Sequence, residues 1–298
     1  MDLLRLIVCA LLFVFSPLLF ANTSPENLGI AFVHGTNDHR DDADGGYWKR
    51  DFLDIMSSAL PDNNNYVVIN CDFRQSMWDE AASGCAADQL LAFINRKKIT
   101  RLVVYTHSNG GNVIRWILSN PTYDPRFATL TQHISEVIAL APSSGGTPLA
   151  DEVMDGSIFS ESMAWLIGYR NDSVQQQRVG DMAVYNNELL FGSSGRPSLP
   201  VPFRVVIGSD VTSSPFSSAS YCNGYTLNVG LKFTRLYLED CSDGFLNCES
   251  QSTAGTLWFM DVDKTDDQTP LSHSQSRHHC FGLERILRTD LLKEGVSQ

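Results

Sequence analysis

Residues 101–118 read RLVVYTHSNGGNVIRWIL. The apolar run Leu102–Tyr105 predicts a buried strand, and the apolar spacing of Asn112–Leu118 predicts a helix. Ser108 lies between them. A sharp turn from strand to helix would project the Ser108 hydroxyl above the edge of a sheet, which is the geometry that a nucleophilic serine needs. The competing interpretation is an ordinary turn in which Ser108 caps the helix.

Small residues on either side of such a turn let the strand and the helix approach closely. Gly110 and Gly111 meet this requirement on the helix side. Thr106 departs from the usual glycine on the strand side, and its β-branched side chain would have to fit a crowded corner. The pattern favours a nucleophile turn with one unusual residue.

Short apolar runs alternate with helical patterns along the whole chain of 298 residues. Near-continuous apolar runs are typical of parallel strands that are covered on both faces. Further runs of this kind are Leu28–Val33, Tyr66–Asn70, Glu136–Ala141 and Phe203–Ile207, and Asp79–Lys97 has helical spacing. We therefore predict an α/β fold over residues 22–298, with a mostly parallel central sheet covered by helices on both faces.

The segment between the last two of these strands, residues 151–200, is too long for a simple crossover helix. Its first half contains the apolar stretch Ile158–Ile167. We expect an inserted cap or lid over the carboxyl ends of the strands, through which the protein could touch a lipid surface. A crossover helix followed by a solvated loop is the alternative.

Charge and the amino-terminal segment limit the partners and the compartment. The net charge of −12 and the absence of a long basic cluster argue against binding to nucleic acid. Residues 1–21 combine Arg5 with the apolar run Leu6–Phe15 and end at Ala21, which is the pattern of a cleavable signal peptide. The sequence therefore predicts a secreted or periplasmic protein.

Cysteine usage fits an oxidising compartment. Of the seven cysteines, Cys9 lies in the predicted signal peptide and an even number remains. Cys71 with Cys85 and Cys241 with Cys248 would close short loops and leave Cys222 for Cys280, although the sequence leaves other pairings open. No Cys-x-x-Cys pair suggests zinc, so we predict neither a metal nor a cofactor.

A nucleophilic serine needs a base, and the base needs an acid that orients it. In α/β proteins of this kind the acid and then the histidine follow the serine along the chain. Asp243 is the preferred acid because an Asp-Gly turn between two cysteines would hold it still, with Asp210 as the rival. His279 is the preferred base because it directly precedes a closing helix, with His278 and His273 as the other candidates.

Two backbone N–H groups must also stabilise the oxyanion that forms during acyl transfer. The residue after the nucleophile, Asn109, supplies one of them. Thr36 supplies the other if Gly35 lets the loop after the first strand turn inward, with His34 bracing that loop by hydrogen bonds. An ordinary turn at the end of the strand is the alternative.

Four short motifs resemble the α/β-hydrolase superfamily, and within it the bacterial triacylglycerol lipases and related esterases. They are Val33–Thr36, Thr106–Gly111, Ala141–Asp151 with its Gly-Thr-Pro sequence, and Ser242–Gly244. The resemblance implies a serine hydrolase of small-molecule or lipid carboxylic esters without a cofactor. It also implies Ser108 as nucleophile, Asp243 as acid, His279 as base, and Thr36 and Asn109 as oxyanion donors. Transfer or removal of another acyl group, as on a glycolipid, and a non-catalytic binding protein with this fold are the alternatives.

Overall fold

The structure of the protein, a computed structural model, describes residues 27–156 and 170–296. The predicted signal peptide, residues 1–21, and the apolar stretch Ile158–Ile167 of the predicted lid lie outside these ranges.

The predicted apolar runs form strands of one parallel sheet, as expected. Its spatial order is β3-β1-β5-β6-β7-β8, and a separate antiparallel ladder joins β2 to β4. The strands are β1 Leu28–Val33, β2 Asn37–Asp38, β3 Tyr66–Ile69, β4 Asp72–Phe73, β5 Arg101–His107, β6 Ile134–Leu140, β7 Phe203–Ile207 and β8 Thr256–Met260. The prediction of an α/β-hydrolase type of sheet is confirmed.

Helices cover both faces of this sheet. They are α1 Arg50–Ser57, α2 Cys85–Lys97, α3 Gly110–Ser119, α4 Pro125–His133, α5 Pro148–Asp155, α6 Asp172–Gln176, α7 Val179–Glu188, α8 Tyr225–Thr234, α9 Cys248–Ser252 and α10 Leu283–Val296. None of the helices in the described part of the chain is long and apolar enough to cross a membrane.

Alternation along the strands explains why both faces are apolar. In β1, Ala31 and Val33 join the core beneath α2, α3 and α4, whereas Ile30 and Phe32 join the core beneath α1 and α10. All four side chains are fully buried. Because both faces of this strand are buried, none of its side chains reaches solvent, and its sequence is a continuous apolar run.

The described part of the segment 151–200 packs against the domain. Val174 in α6, Met182 in α7 and Leu190 are buried, so these residues belong to the layer that connects β6 to β7. The predicted lid remains a prediction for residues 157–169, which lie outside the described ranges.

Three disulfides link Cys71 to Cys85, Cys222 to Cys280 and Cys241 to Cys248. This is the predicted pairing. Two of the bridges fasten loops at the carboxyl edge of the sheet, because Cys241–Cys248 closes the loop that carries Asp243 and Cys222–Cys280 anchors the chain after His279.

Candidate active site

The turn after β5 has the strained backbone expected for a sharp turn from strand to helix. Ser108 has a φ of 54°, in the left-handed region that non-glycine residues rarely adopt. Its N–H donates to the Leu140 carbonyl of the neighbouring strand at 3.1 Å, and the Gly111 N–H donates to the Ser108 carbonyl at 3.0 Å. Strand, turn and helix are thus fastened together around Ser108.

Close backbone approach explains two glycines at this turn. A Cβ on Gly110 would lie 2.3 Å from the His34 carbonyl oxygen. A Cβ on Gly35 would lie 2.9 Å from the Cβ of Ser108 and 2.6 Å from the Tyr47 hydroxyl. No side chain fits at either position, so these glycines let the loop after β1 pass directly beside Ser108.

Thr106 is accommodated by the helix opposite it. Its side chain is fully buried, and its Oγ1 lies 3.5 Å from the position that a Cβ on Gly111 would take. That distance is ordinary van der Waals contact, so the buried Thr106 side chain fits against α3.

Asp243 is the acid that the structure brings to a histidine. It is fully buried, and its Oδ1 accepts the N–H groups of Phe245 at 2.8 Å and Leu246 at 2.7 Å. Its Oδ2 lies 2.7 Å from Nδ1 of His273. The rival Asp210 lies at the surface, where it pairs with Lys232 and Arg235.

His273, and not His279, is the partner of Asp243. The His273 N–H also donates to the Asp243 carbonyl at 2.8 Å, and its ring stacks on Phe245 with centroids 4.6 Å apart. His273 lines the same cavity as Ser108.

The expectation that His279 serves Ser108 is contradicted by its position. Its side chain is 48% exposed, and its Nδ1 lies 3.1 Å from Asp51 of α1. The disulfide of the next residue, Cys280, holds the chain there, away from Asp243. His278 is buried, and desolvation lowers its pKa to about 2.

The loop after β1 is braced by His34, as predicted. Burial lowers the pKa of His34 to about 3, so the ring is neutral. Its Nδ1 donates to the Gly35 carbonyl at 2.8 Å, and its Nε2 accepts the Cys71 N–H at 3.2 Å. In a trans peptide the carbonyl and the following N–H point in opposite directions, so the Thr36 N–H is turned away from His34.

Asn109 stands at the amino terminus of α3, where helix N–H groups and the helix dipole favour negative charge. Within the described ranges, neither its N–H nor that of Thr36 is matched to a protein acceptor. Thr36 lines the cavity together with Ser108, and Asn109 directly follows Ser108 in the chain.

Tyr47 and His107 form a hydrogen-bonded chain that the sequence did not indicate. The Gly35 N–H donates to the Tyr47 hydroxyl at 2.9 Å, and that hydroxyl lies 2.5 Å from Nδ1 of His107. On the other side of the ring, Nε2 of His107 donates to the His273 carbonyl at 2.8 Å. Burial lowers the pKa of His107 and raises that of Tyr47, so both groups are neutral. The Tyr47 hydroxyl therefore donates a hydrogen bond to Nδ1 of His107. The chain connects the loop of Thr36 to the backbone of His273.

A second brace comes from α6 and the residue after it. Gln177 donates to the Thr36 hydroxyl at 2.8 Å, and the Asn109 side chain donates to the Ser173 hydroxyl at 2.9 Å. Gln176 donates to the Asn109 side-chain oxygen at 3.3 Å. No periodicity or motif marks these polar residues in the sequence, because their function depends on contacts across more than 60 positions of the chain.

The Gly-Thr-Pro motif holds the acid loop. Thr147 caps α5 by accepting the Leu149 N–H at 3.3 Å, and its hydroxyl donates to the Phe245 carbonyl at 2.6 Å. Since Phe245 also donates to Asp243, this motif fixes the position of the acid.

A cavity of about 190 Å³ opens above Ser108. Its wall combines the residues around Ser108 with loops from the other strand ends: Thr36, Asn37, His39, Tyr47, His107, Ser108, Leu227, Leu231, Phe245, His273, Ser274 and Arg277. Among the described residues, no group of three or more His, Cys, Asp or Glu side chains is placed to hold a metal ion.

Comparison with solved structures relates the fold to known enzymes. A lipase of Bacillus licheniformis in its mature form aligns with a TM-score of 0.62 and 18% identity, over 90% of this chain and 93% of that chain. Lipase 1 of Pelosinus fermentans aligns with a TM-score of 0.57 and 14% identity, over 90% and 99%. Lipase B of Aspergillus fumigatus aligns with a TM-score of 0.50 and 13% identity, over 91% and 53%.

The sequence matches no protein-family model and no curated protein. At these identities the likeness concerns the fold. The chain has the α/β-hydrolase fold of the lipases to which it is similar.

Proposed function

We propose that the protein is a secreted serine hydrolase that cleaves carboxylic esters through Ser108, His273 and Asp243. The observation that carries the proposal is the buried Asp243–His273 pair, 2.7 Å apart, whose histidine lines one cavity with the strained Ser108. The fold of ester hydrolases supports the same reaction class.

In the proposed reaction, Nδ1 of His273 donates to Asp243, which leaves Nε2 free to take the Ser108 proton as the hydroxyl attacks the ester carbonyl. Asp243 stabilises the resulting imidazolium. The N–H groups of Thr36 and Asn109 bind the oxyanion of the tetrahedral intermediate. His273 then protonates the leaving alcohol, and an activated water releases the acyl group by the same steps.

The cavity favours a compact acyl group. Its volume is small beside the roughly 300–1,000 Å³ of common ligand pockets, and its apolar wall consists of Leu227, Leu231 and Phe245. We therefore place short-chain esters ahead of long-chain lipids for the described part of the site.

Export is the second part of the proposal. The signal-peptide pattern of residues 1–21 predicts it, and three disulfides fit an oxidising compartment. Expression of the tagged chain from Met1, followed by mass spectrometry of the exported product, would test cleavage after Ala21.

Hydrolysis of p-nitrophenyl butyrate by the purified wild type and by Ser108→Ala tests the reaction. We expect turnover by the wild type and a loss of about 10³-fold or more in the variant, because the remaining groups cannot form an acyl-enzyme. Equal turnover by a correctly folded variant would refute the proposed nucleophile.

A further inference from the structure

Arg277 places a cationic side chain in the wall of the Ser108 cavity. The described residues that line this cavity include no Asp or Glu. Arg277 is the only Lys or Arg among these lining residues, and it shares the cavity with the candidate nucleophile. Such a positive wall is notable in a chain whose net charge is −12.

The guanidinium of Arg277 is held in place by the ring and the backbone carbonyl of Tyr47. It lies over the Tyr47 ring, 3.8 Å from the centroid, and one of its nitrogens donates to the Tyr47 carbonyl. Within the described ranges it forms no ion pair, and Asp42 pairs with His39 instead, at 2.7 Å. A guanidinium has five N–H donors, and the hydrogen bond to the Tyr47 carbonyl uses one of those on Arg277.

We propose that Arg277 forms an anion-binding subsite, and that the preferred substrates are compact esters carrying a carboxylate or phosphate group. This inference rests on the proposed ester hydrolysis. Planar guanidinium groups bind carboxylate and phosphate oxygens through paired hydrogen bonds, and these are strengthened where water is partly excluded.

The subsite lies close to the reacting atoms. Tyr47, on which Arg277 stacks, touches both Gly35 and His107 through its hydroxyl. Gly35 adjoins Thr36 and His107 adjoins Ser108. The anionic group of the substrate must therefore lie only a few bonds from the scissile ester.

Two pairs of esters test the inference and place the charge. Phenyl acetate and 3-acetoxybenzoate differ by a charge on the alcohol side, and methyl valerate and monomethyl glutarate differ by a charge on the acyl side. Replacing 3-acetoxybenzoate by 3-acetoxyphenyl phosphate separates a carboxylate preference from a phosphate preference. The readout is the ratio of kcat/KM for the charged ester to kcat/KM for its neutral partner.

In Arg277→Gln, we expect this ratio to fall by about 10- to 100-fold in at least one pair, the range for hydrogen bonds to charged groups. Arg277→Lys should keep part of the preference. Arg288→Gln is the matched control, because it removes one positive charge from a side chain that contacts Ser58, the residue directly after α1, instead of the cavity.

Calorimetric binding of 3-hydroxybenzoate and phenyl phosphate gives a second readout that needs no turnover. Weaker binding to Arg277→Gln than to Arg288→Gln supports the subsite even if no ester is cleaved, an outcome that would reject only the proposed hydrolysis. If the wild type cleaves phenyl acetate while neither the ratios nor anion binding depend on Arg277, the subsite is refuted and the hydrolase proposal stands.

Discussion

The Asp243 side chain accepts three hydrogen bonds of 2.7–2.8 Å, two from backbone N–H groups and one from His273. This arrangement leaves the carboxylate in one orientation, aimed at a single histidine. A buried carboxylate held in this way orients the ring of the base and stabilises its charged form. The loop of Asp243 therefore favours His273 as the proposed base.

Replacing the two candidate bases separately checks this assignment. His273→Ala should reduce kcat/KM for p-nitrophenyl butyrate by about 10³-fold or more, because Ser108 loses its proton acceptor. His279→Ala should stay within about twofold of the wild type, since it loses only a surface contact of small energetic value with Asp51. The opposite ranking in steady-state kinetics would restore His279 as the base.

Tyr47 is a second residue whose hydrogen bonds are expected to position the site. Tyr47→Phe leaves the Gly35 N–H and His107 Nδ1 without their partner. We expect kcat to fall by about 10- to 100-fold with a smaller change in KM, because the oxyanion loop and the His273 backbone lose their common anchor. Tyr66→Phe is the control, since the Tyr66 hydroxyl contacts Arg50 at 3.3 Å at the surface. A rise in KM at unchanged kcat would assign Tyr47 to substrate binding alone.

The sequence predicts Ser108 and Asp243 for local reasons, since a strand, turn and helix pattern surrounds one and an Asp-Gly turn between cysteines surrounds the other. The histidine has no such local signal. The path of its loop depends on Asp261, a fully buried residue whose carboxylate accepts the N–H groups of Ser209 and Leu271 at 2.8 and 2.6 Å. Asp261 reads as part of a solvated acidic run, so its anchoring role is visible only in the folded chain.

At the scale of elements, the contact between α3 and the loop after β1 depends on glycine. A Cβ on Gly110 would meet backbone at 2.3 Å, whereas a Cβ on Gly180 in α7 would meet nothing within 4 Å. The two positions therefore respond oppositely to the same added methyl group.

Gly110→Ala should lower the free energy of unfolding by about 2 kcal/mol or more through overpacking and should abolish ester turnover. Gly180→Ala should raise it by about 0.5–1 kcal/mol, because alanine favours helix and restricts the unfolded chain. Denaturant unfolding of the two variants measures both effects. Equal stabilities would contradict the close approach of α3 to His34.

The strands β1, β3, β5, β6 and β7 are predictable because their apolar runs are local and long, whereas β8 is not among the predicted strands. The hydrogen bonds that α6 and Gln177 form cannot be predicted from the sequence. Ser173, Gln176 and Gln177 read as an ordinary polar stretch, yet they contact Asn109 and Thr36 from the connection between β6 and β7. Only the packing of that connection against the sheet edge gives these side chains their positions.

At the scale of the whole molecule, the sheet edge gathers three buried histidines that must stay neutral. Burial holds the pKa of His34 at about 3 and that of His278 at about 2, and it lowers the pKa of His107 well below its ordinary value. In the unfolded chain the same side chains titrate near their usual pKa of about 6.5. The unfolded state therefore binds more protons as the pH falls below that value.

Stability should consequently be full above about pH 6.5 and decline on acidification, by about 2 kcal/mol for each of these histidines between pH 7 and pH 5. Denaturant unfolding at the two pH values measures this dependence. His278→Gln should remove its share of the slope whatever it does to stability at pH 7. Equal unfolding free energies of the wild type at both pH values would show that these histidines accept protons in the folded state.

Covalent labelling by diisopropyl fluorophosphate, followed by mass spectrometry of the labelled peptide, tests the central claim most directly, because labelling requires an activated nucleophile. We predict one adduct on Ser108 in the wild type and in His279→Ala, and strongly slowed labelling in His273→Ala. An adduct on a different residue, or no adduct on the folded wild-type protein, would contradict the assignment of Ser108 as a nucleophile activated by His273.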